Sequence, residues 1–139
     1  MLDFFDSCGH GGKLGQLPGV KTGSAVHPTG ITAGRDGNLW FVEPATAGIG
    51  RVTPAGTVTE FRLSNSAESP AGIVAGPDGN LWFTEYYSGN IGRITPAGTI
   101  TEFTIAAGTN KSPSGITLGA DCNLWFTDPG NGKVGRVAP

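Results

Sequence analysis

The chain has 139 residues, enough for one ordinary domain. A net charge of −2 without any basic stripe excludes nucleic acid as an expected partner. No apolar run approaches the roughly 18 residues of a transmembrane helix. No membrane is therefore expected as a partner. The first twenty residues lack the basic start and apolar core of a leader, so the cytoplasm is the default compartment.

Residues 1–26 read as a degenerate partial repeat that supplies N-terminal strands. Phe4-Phe5 echoes Trp125-Phe126, and Gly12-Lys13-Leu14-Gly15-Gln16 echoes Gly132-Lys133-Val134-Gly135-Arg136. His10 in this stretch is read as a solvated loop residue. Cys8 and Cys122 are too few for a disulfide framework, and free thiols are expected in preference to a bridge between them.

From Gly30 the chain repeats. Gly30–Phe41 reads GITAGRDGNLWF, and the segment returns as GIVAGPDGNLWF at Gly72–Phe83 and GITLGADCNLWF at Gly115–Phe126. Trp40, Trp82 and Trp125 keep a spacing of about 42 residues, as do Arg51, Arg93 and Arg136. A period of that length, rich in strand formers and tight turns, marks the four-stranded blades of a β-propeller. In the best-kept copy, Gly72–Gly76 forms a first strand and Pro77-Asp78-Gly79 a tight turn. Asn80–Glu85 is the second strand, Asn90–Thr95 the third and Thr99–Ile105 the fourth. Connections this short demand antiparallel neighbours. No segment has a helical period, so almost no helix is expected.

This predicts an all-β chain of about three blades, at 27–68, 69–111 and 112–139, the last lacking its fourth strand. Three blades cannot close a ring, because propellers have at least about four. An open arc exposes sheet edges and an apolar blade face, which invites association. The expected partner is a second copy, giving six or seven blades from a homodimer. The N-terminal strand is a candidate to fill the open position in the partner's last blade.

Polar residues kept in every copy serve the scaffold. Arg51, Arg93 and Arg136 recur, as do Glu43, Glu85 and Asp128, and Glu60 and Glu102. They are read first as cross-strand charge pairs, and secondarily as a carboxylate ring at one rim. The tryptophans are read as packing residues. The exceptions lie in the loops before the first strand and after the second, which open on one rim. Glu68, Tyr86, Tyr87, Asn110 and Lys111 are not repeated, and His27 precedes the first copy. They read as solvated loop residues or as a rim that binds a polar or aromatic small molecule. Cys122 replaces the turn glycine of Gly37 and Gly79, at a cost on the order of 1 kcal/mol if φ stays positive. There is no Gly-x-Ser-x-Gly nucleophile motif, zinc spacing or phosphate loop.

The segments GPDGNLWFTE, NIGRITPAGTITEF and SPSGIT closely resemble the repeats of the virginiamycin B lyase (streptogramin B lyase) family, over residues 27–139 and more weakly 12–17. The resemblance implies a seven-bladed propeller that opens cyclic depsipeptides of type B streptogramins by elimination, with magnesium and without added water. It also implies a catalytic Glu-Pro-His-Gly-Ile motif in the loop before a first strand. Thr29, Ala71 and Ser114 occupy the positions that match its histidine. Glu68 lies one residue further from Pro70 than the family's glutamate does from its proline, and His27 precedes Pro28 instead of following it.

The leading expectation is a self-assembling structural or binding propeller unit without the family's histidine and without a cofactor. One alternative is a magnesium-dependent carbon–oxygen lyase, an antibiotic-resistance activity, with a site completed between chains. There His27 would be the base, with Glu68 or Glu85 on the metal. Another alternative is a ligand-binding propeller that uses Glu68, Tyr86, Tyr87 and Lys111.

Overall fold

The computed structural model describes the backbone at residues 3–5 and 11–13, and all atoms of residues 27–105 and 111–139. The expectations for Cys8, His10 and Asn110 lie outside the described residues. Strands β1 (Asp3–Phe5) and β2 (Gly11–Lys13) form a two-stranded antiparallel sheet. The rest builds three antiparallel sheets in chain order. The first holds β3 (Ile31–Ala33), β4 (Leu39–Glu43), β5 (Gly48–Val52) and β6 (Val58–Arg62). The second holds β7 (Pro70–Ala75), β8 (Leu81–Glu85), β9 (Asn90–Ile94) and β10 (Ile100–Thr104). The third holds β11 (Ile116–Leu118), β12 (Leu124–Asp128) and β13 (Lys133–Val137), and has no fourth strand among the described residues. The observed strands match the sequence-derived ones to within two residues at their ends. Among the described residues the helical pieces are two 3-10 turns, Pro44–Thr46 and Pro129–Asn131.

Local chemistry explains the first hairpin of each blade. In the second blade Gly79 takes φ +84°, and the Asp78 carboxylate accepts from the Asn80 backbone N–H at 3.2 Å and from its amide at 2.8 Å. The same carboxylate accepts the Trp82 indole N–H at 3.1 Å. Asp36 and Asp121 make the corresponding bonds to Asn38 and Trp40, and to Asn123 and Trp125. One aspartate thus closes the turn and orients the tryptophan four residues on. Cys122 carries the strain foreseen for it, with φ +60°, and is a free, exposed thiol.

The ladder settles how residues share faces. Phe41, Phe83 and Phe126 stand opposite Gly50, Gly92 and Gly135. A Cβ on each glycine would overlap the facing ring, so the ring covers the glycine backbone. On the other face Trp40 stacks on Phe61 at 5.7 Å and Trp82 on Phe103 at 5.6 Å. The cross-strand charge pairs expected of the recurring arginines do not form at Arg51 and Arg93. Arg51 lies over the Trp40 and Phe61 rings, 5.6 Å from each centroid, and Arg93 over Trp82 and Phe103. The reason is strand periodicity. Arg51 stands opposite Trp40 and shares its face, whereas the neighbouring Glu60 points to the opposite face. Among the described residues the ion pairs are Arg62–Glu60 at 3.3 Å and Arg136–Asp121 at 3.8 Å, both exposed.

Sheets stack face to face. The Trp40 face of the first packs on Ile73, Leu81, Phe83 and Ile94, and the Trp82 face of the second packs on Leu124 and Phe126. Residues at one repeat position therefore differ in exposure only by neighbour. Ile49 and Ile91 are 0% and 1% exposed, while Val134 at the same position of the third sheet is 64% exposed. At the other end Ile31 and Leu39 are 62% and 46% exposed, against 8% and 1% for Ile73 and Leu81. Polar bonds also couple the blades. Arg51 donates to the Pro96 carbonyl at 2.8 Å, and buried Thr84 donates to the Ser114 carbonyl at 2.6 Å while accepting from the Gly72 N–H at 2.9 Å.

Candidate acidic site at the blade rim

The site forms where the 63–69 linker crosses the second blade. Pro70 pairs with Glu85, the last residue of β8, and the ladder is irregular between Pro70 and Ile73. The Tyr86 N–H donates to the Ser69 carbonyl at 2.9 Å, tying the linker to the turn after β8. Within the linker the Glu68 N–H donates to the Asn65 carbonyl at 3.1 Å, and the Asn65 N–H donates to the Glu68 carboxylate at 3.4 Å. This folds Glu68 inward, so it is buried rather than solvated.

Three carboxylates converge. Glu68, Glu85 and Glu102 each offer an oxygen, and the three oxygens lie within 4.8 Å of one another. Glu85 is fully buried. Its Oε2 accepts the Ser88 hydroxyl at 2.7 Å, and its Oε1 has no partner. Glu102, in the middle of β10, accepts the Ser64 hydroxyl at 3.4 Å and lines an open cleft with Arg62, Ser64 and Ile100. Burial pushes the Glu85 carboxyl above its ordinary value, against the bond from Ser88. Burial, followed by the charge of Glu102, pushes Glu68 up as well.

The other blades treat the matching carboxylate differently. In the first blade Glu43 is raised by burial and then by Glu60, but Thr46 and the Arg62 charge oppose this. In the third, the Ser112 N–H and the Asn131 amide bond Asp128 at 2.9 Å and 2.7 Å. The Asn131 bond, followed by that from Ser112, holds its carboxyl below the ordinary value.

The structure thus brings together Glu68 and Glu85 of the sequence-derived candidates. Tyr86 and Tyr87 occupy the adjoining turn, edge to face at 5.2 Å, with Tyr87 exposed. The Lys111 stem lies against Gly89. His27 is exposed ahead of β3 and makes no hydrogen bond to Glu68 or Glu85. Glu102 was not among the named site candidates; it was read first as a recurring scaffold carboxylate and secondarily as part of a carboxylate ring at the rim. The signal for it was Thr104, which stands where the first blade has Arg62, together with the unrepeated Glu68.

Stacked antiparallel sheets, two of four strands and one of three among the described residues, with a carboxylate-lined rim define a partial β-propeller. The family model described as "Virginiamycin B lyase family" matches residues 9–139. The chain belongs to that family. Among solved structures it is similar to a catalytically inactive variant of virginiamycin B lyase from Staphylococcus aureus with quinupristin. Identity is 45%, the TM-score is 0.78, and 84% of this chain and 39% of that one are covered. The selenomethionine-substituted lyase from the same organism gives 40% identity, a TM-score of 0.79 and coverage of 99% and 45%. A streptogramin B lyase structure gives 35%, 0.75, and 96% and 42%. The chain spans less than half the length of these relatives. A putative gluconolactonase, 20% identical with a TM-score of 0.66, shares the fold. No match was found among curated proteins. Among the described residues no helix is long and apolar enough to cross a membrane.

Proposed function

We propose that this chain is a propeller unit that completes its ring by associating with a second copy of itself, and that it presents its acidic rim for binding without the family's elimination chemistry. The observation that carries the reading is the pair of uncovered faces. The Ile31–Leu39 face of the first sheet and the Trp125–Val134 face of the third correspond, position by position, to the two faces that pack between consecutive sheets. Each is therefore complementary to the other on a second chain, and a two-fold arrangement satisfies both at once. In the third blade Arg136 likewise lies over the Trp125 ring, 5.6 Å from its centroid. Thr29, Ala71 and Ser114 at the motif positions offer no base. Light scattering on a sizing column tests the association: a discrete dimer is expected, and a monodisperse monomer at tens of micromolar refutes it.

The buried carboxylates favour a second reading, a magnesium-dependent streptogramin B lyase with a site completed between chains. The residues fit such an ion, because Glu85 has a buried oxygen without a partner. Glu68 and Glu85 would hold it, and the bound cation would supply stabilisation of negative charge developing on the substrate. His27 from either chain would take the proton, while Tyr86, Tyr87 and Lys111 would position the ligand. Magnesium-dependent loss of quinupristin, abolished in His27→Ala, would establish this reading. Unchanged substrate in the presence of an intact dimer would eliminate it.

A further inference from the structure

The uncovered face of the third sheet carries a groove lined by Gly115, Ile116, Trp125, Phe126, Thr127 and Val134. The second sheet shows what such a groove holds. There Gly72 and Thr84 stand where the third sheet has Gly115 and Thr127. The Thr84 hydroxyl accepts from the Gly72 N–H at 2.9 Å and donates to the Ser114 carbonyl, just ahead of β11, at 2.6 Å. A Cβ on Gly72 would lie 2.6 Å from that carbonyl oxygen and 3.3 Å from the Ile116 side chain. Neither Gly72 nor Gly115 has a positive φ, so the neighbouring backbone, and not the glycine's own conformation, excludes a side chain at position 72. In the third sheet half of this arrangement is present. Thr127 accepts from the Gly115 N–H at 3.0 Å, but its hydroxyl donates to no acceptor among the described residues. A Cβ on Gly115 would meet only the Thr127 hydroxyl oxygen, at 3.4 Å, so nothing in the described residues requires glycine there. The complement lies on the first sheet. Thr29, at the position of Ser114, is exposed, and its carbonyl accepts no hydrogen bond among the described residues. Ile31, at the position of Ile116, is also exposed.

We propose that Thr29-Gly30-Ile31 of a second copy seats in this groove, with its Thr29 carbonyl closing on Gly115 and accepting from the Thr127 hydroxyl, and its Ile31 covering the apolar wall. This rests on the self-association reading and deepens it by assigning the residues that set the register of the contact. A carbonyl that must meet both a hydroxyl donor and the gap over a glycine has one position available. A slip by one residue puts a side chain into that gap and leaves the donor unpaired. Burial of the apolar faces supplies the affinity, since it is roughly proportional to area and has no direction. The contact around Gly115 supplies the discrimination, because an apolar surface without a carbonyl at that point strands the Thr127 hydroxyl. Each such contact joins unlike faces, and a two-fold dimer contains it twice.

The test is sedimentation velocity over a concentration series, with thermal unfolding of each variant diluted to monomer. Gly115→Ala should raise the dimer dissociation constant about tenfold or more, because the new methyl meets the Thr29 carbonyl. Thr127→Val keeps the volume but loses the donor, and should raise it too; Val42 at the same position of the first blade shows that a blade forms without this hydroxyl. At monomer dilution Gly115→Ala should unfold at the parent's Tm, whereas Gly72→Ala, crowded within the chain, should unfold earlier. A mixture of Gly115→Ala with Ile31→Asp should associate more tightly than either variant alone, since each chain keeps the face that the other has lost. A parent that stays monomeric at tens of micromolar overturns the proposal together with the self-association reading. A parent dimer whose affinity survives both Gly115→Ala and Thr127→Val overturns the proposal alone, because the copies then meet elsewhere. A Gly115→Ala variant that unfolds early at monomer dilution overturns it as well, because the glycine would then serve the chain's own fold.

Discussion

Gly92 on β9 offers the sharpest test of the packing. The Phe83 ring lies across it, and a Cβ at position 92 would overlap three ring atoms. Phe83 is fully buried between the first two sheets, so its ring cannot swing out without opening that core. Overpacking a well-packed core costs about 1–3 kcal/mol, and losing the ring altogether about 3–5 kcal/mol. Replacing glycine by alanine within a strand returns about 0.5–1 kcal/mol. Gly92→Ala is therefore expected to destabilise the chain by about 2 kcal/mol. Urea unfolding followed by tryptophan emission measures this directly. Phe83→Leu, which vacates the space the new methyl needs, should cost less in the Gly92→Ala background than alone, giving a non-additive double-mutant cycle. A Gly92→Ala variant within about 0.5 kcal/mol of the parent, or a strictly additive cycle, would refute the ring-over-glycine account.

Three further outcomes are expected. Cys122→Gly should stabilise the chain by about 1 kcal/mol, because φ +60° suits glycine, and its thermal midpoint should rise accordingly. Asp78→Ala should cost about 1–3 kcal/mol in chemical denaturation, because it strands the buried Trp82 indole N–H and opens the turn. Acid should weaken the fold in a defined window. Burial works against ionisation of Asp36 and Asp78, but bonds from Asn38 and Trp40, and from Asn80 and Trp82, outweigh it and hold both carboxyls low. Asn123, then Trp125, takes Asp121 down to about 2 from its ordinary 3.8. Carboxyls lowered by folding lend stability that is whole above their ordinary value and is lost as pH falls through the folded one. The urea midpoint should therefore decline between about pH 4 and pH 2, and a flat profile there would contradict the turn chemistry.

The repeat made the blades legible because its signals are local. Asp-Gly-Asn turns, alternating strand residues and short connections fix a hairpin without reference to anything distant, so strand ends fell within two residues of those observed. The roles of the arginines were not legible in the same way. Arg51 and Glu60 recur together in sequence, and only the ladder shows that they occupy opposite faces. Glu68 looked like a solvated linker residue because its burial depends on the bond between Tyr86 and Ser69, which joins two loops. Glu102 was hidden for a related reason. Its approach to Glu68 arises where a linker from one blade passes over the outer strand of the next, a contact that no single repeat encodes.

The inner strands have one more consequence. β7 lies between β3 and β11, and these strands meet through glycine: a Cβ on Gly30 would sit 3.2 Å from the Ala71 carbonyl oxygen, and one on Gly72 only 2.6 Å from that of Ser114. Toward the outer strands the same neighbours are held apart by stacked tryptophan, arginine and phenylalanine. Slabs thin at one edge and thick at the other lean together like the stones of an arch. The curvature is thus set by a hydrogen atom at the hub against an aromatic stack at the periphery. A bulkier hub residue would flatten the arc and require more stones to complete the circle.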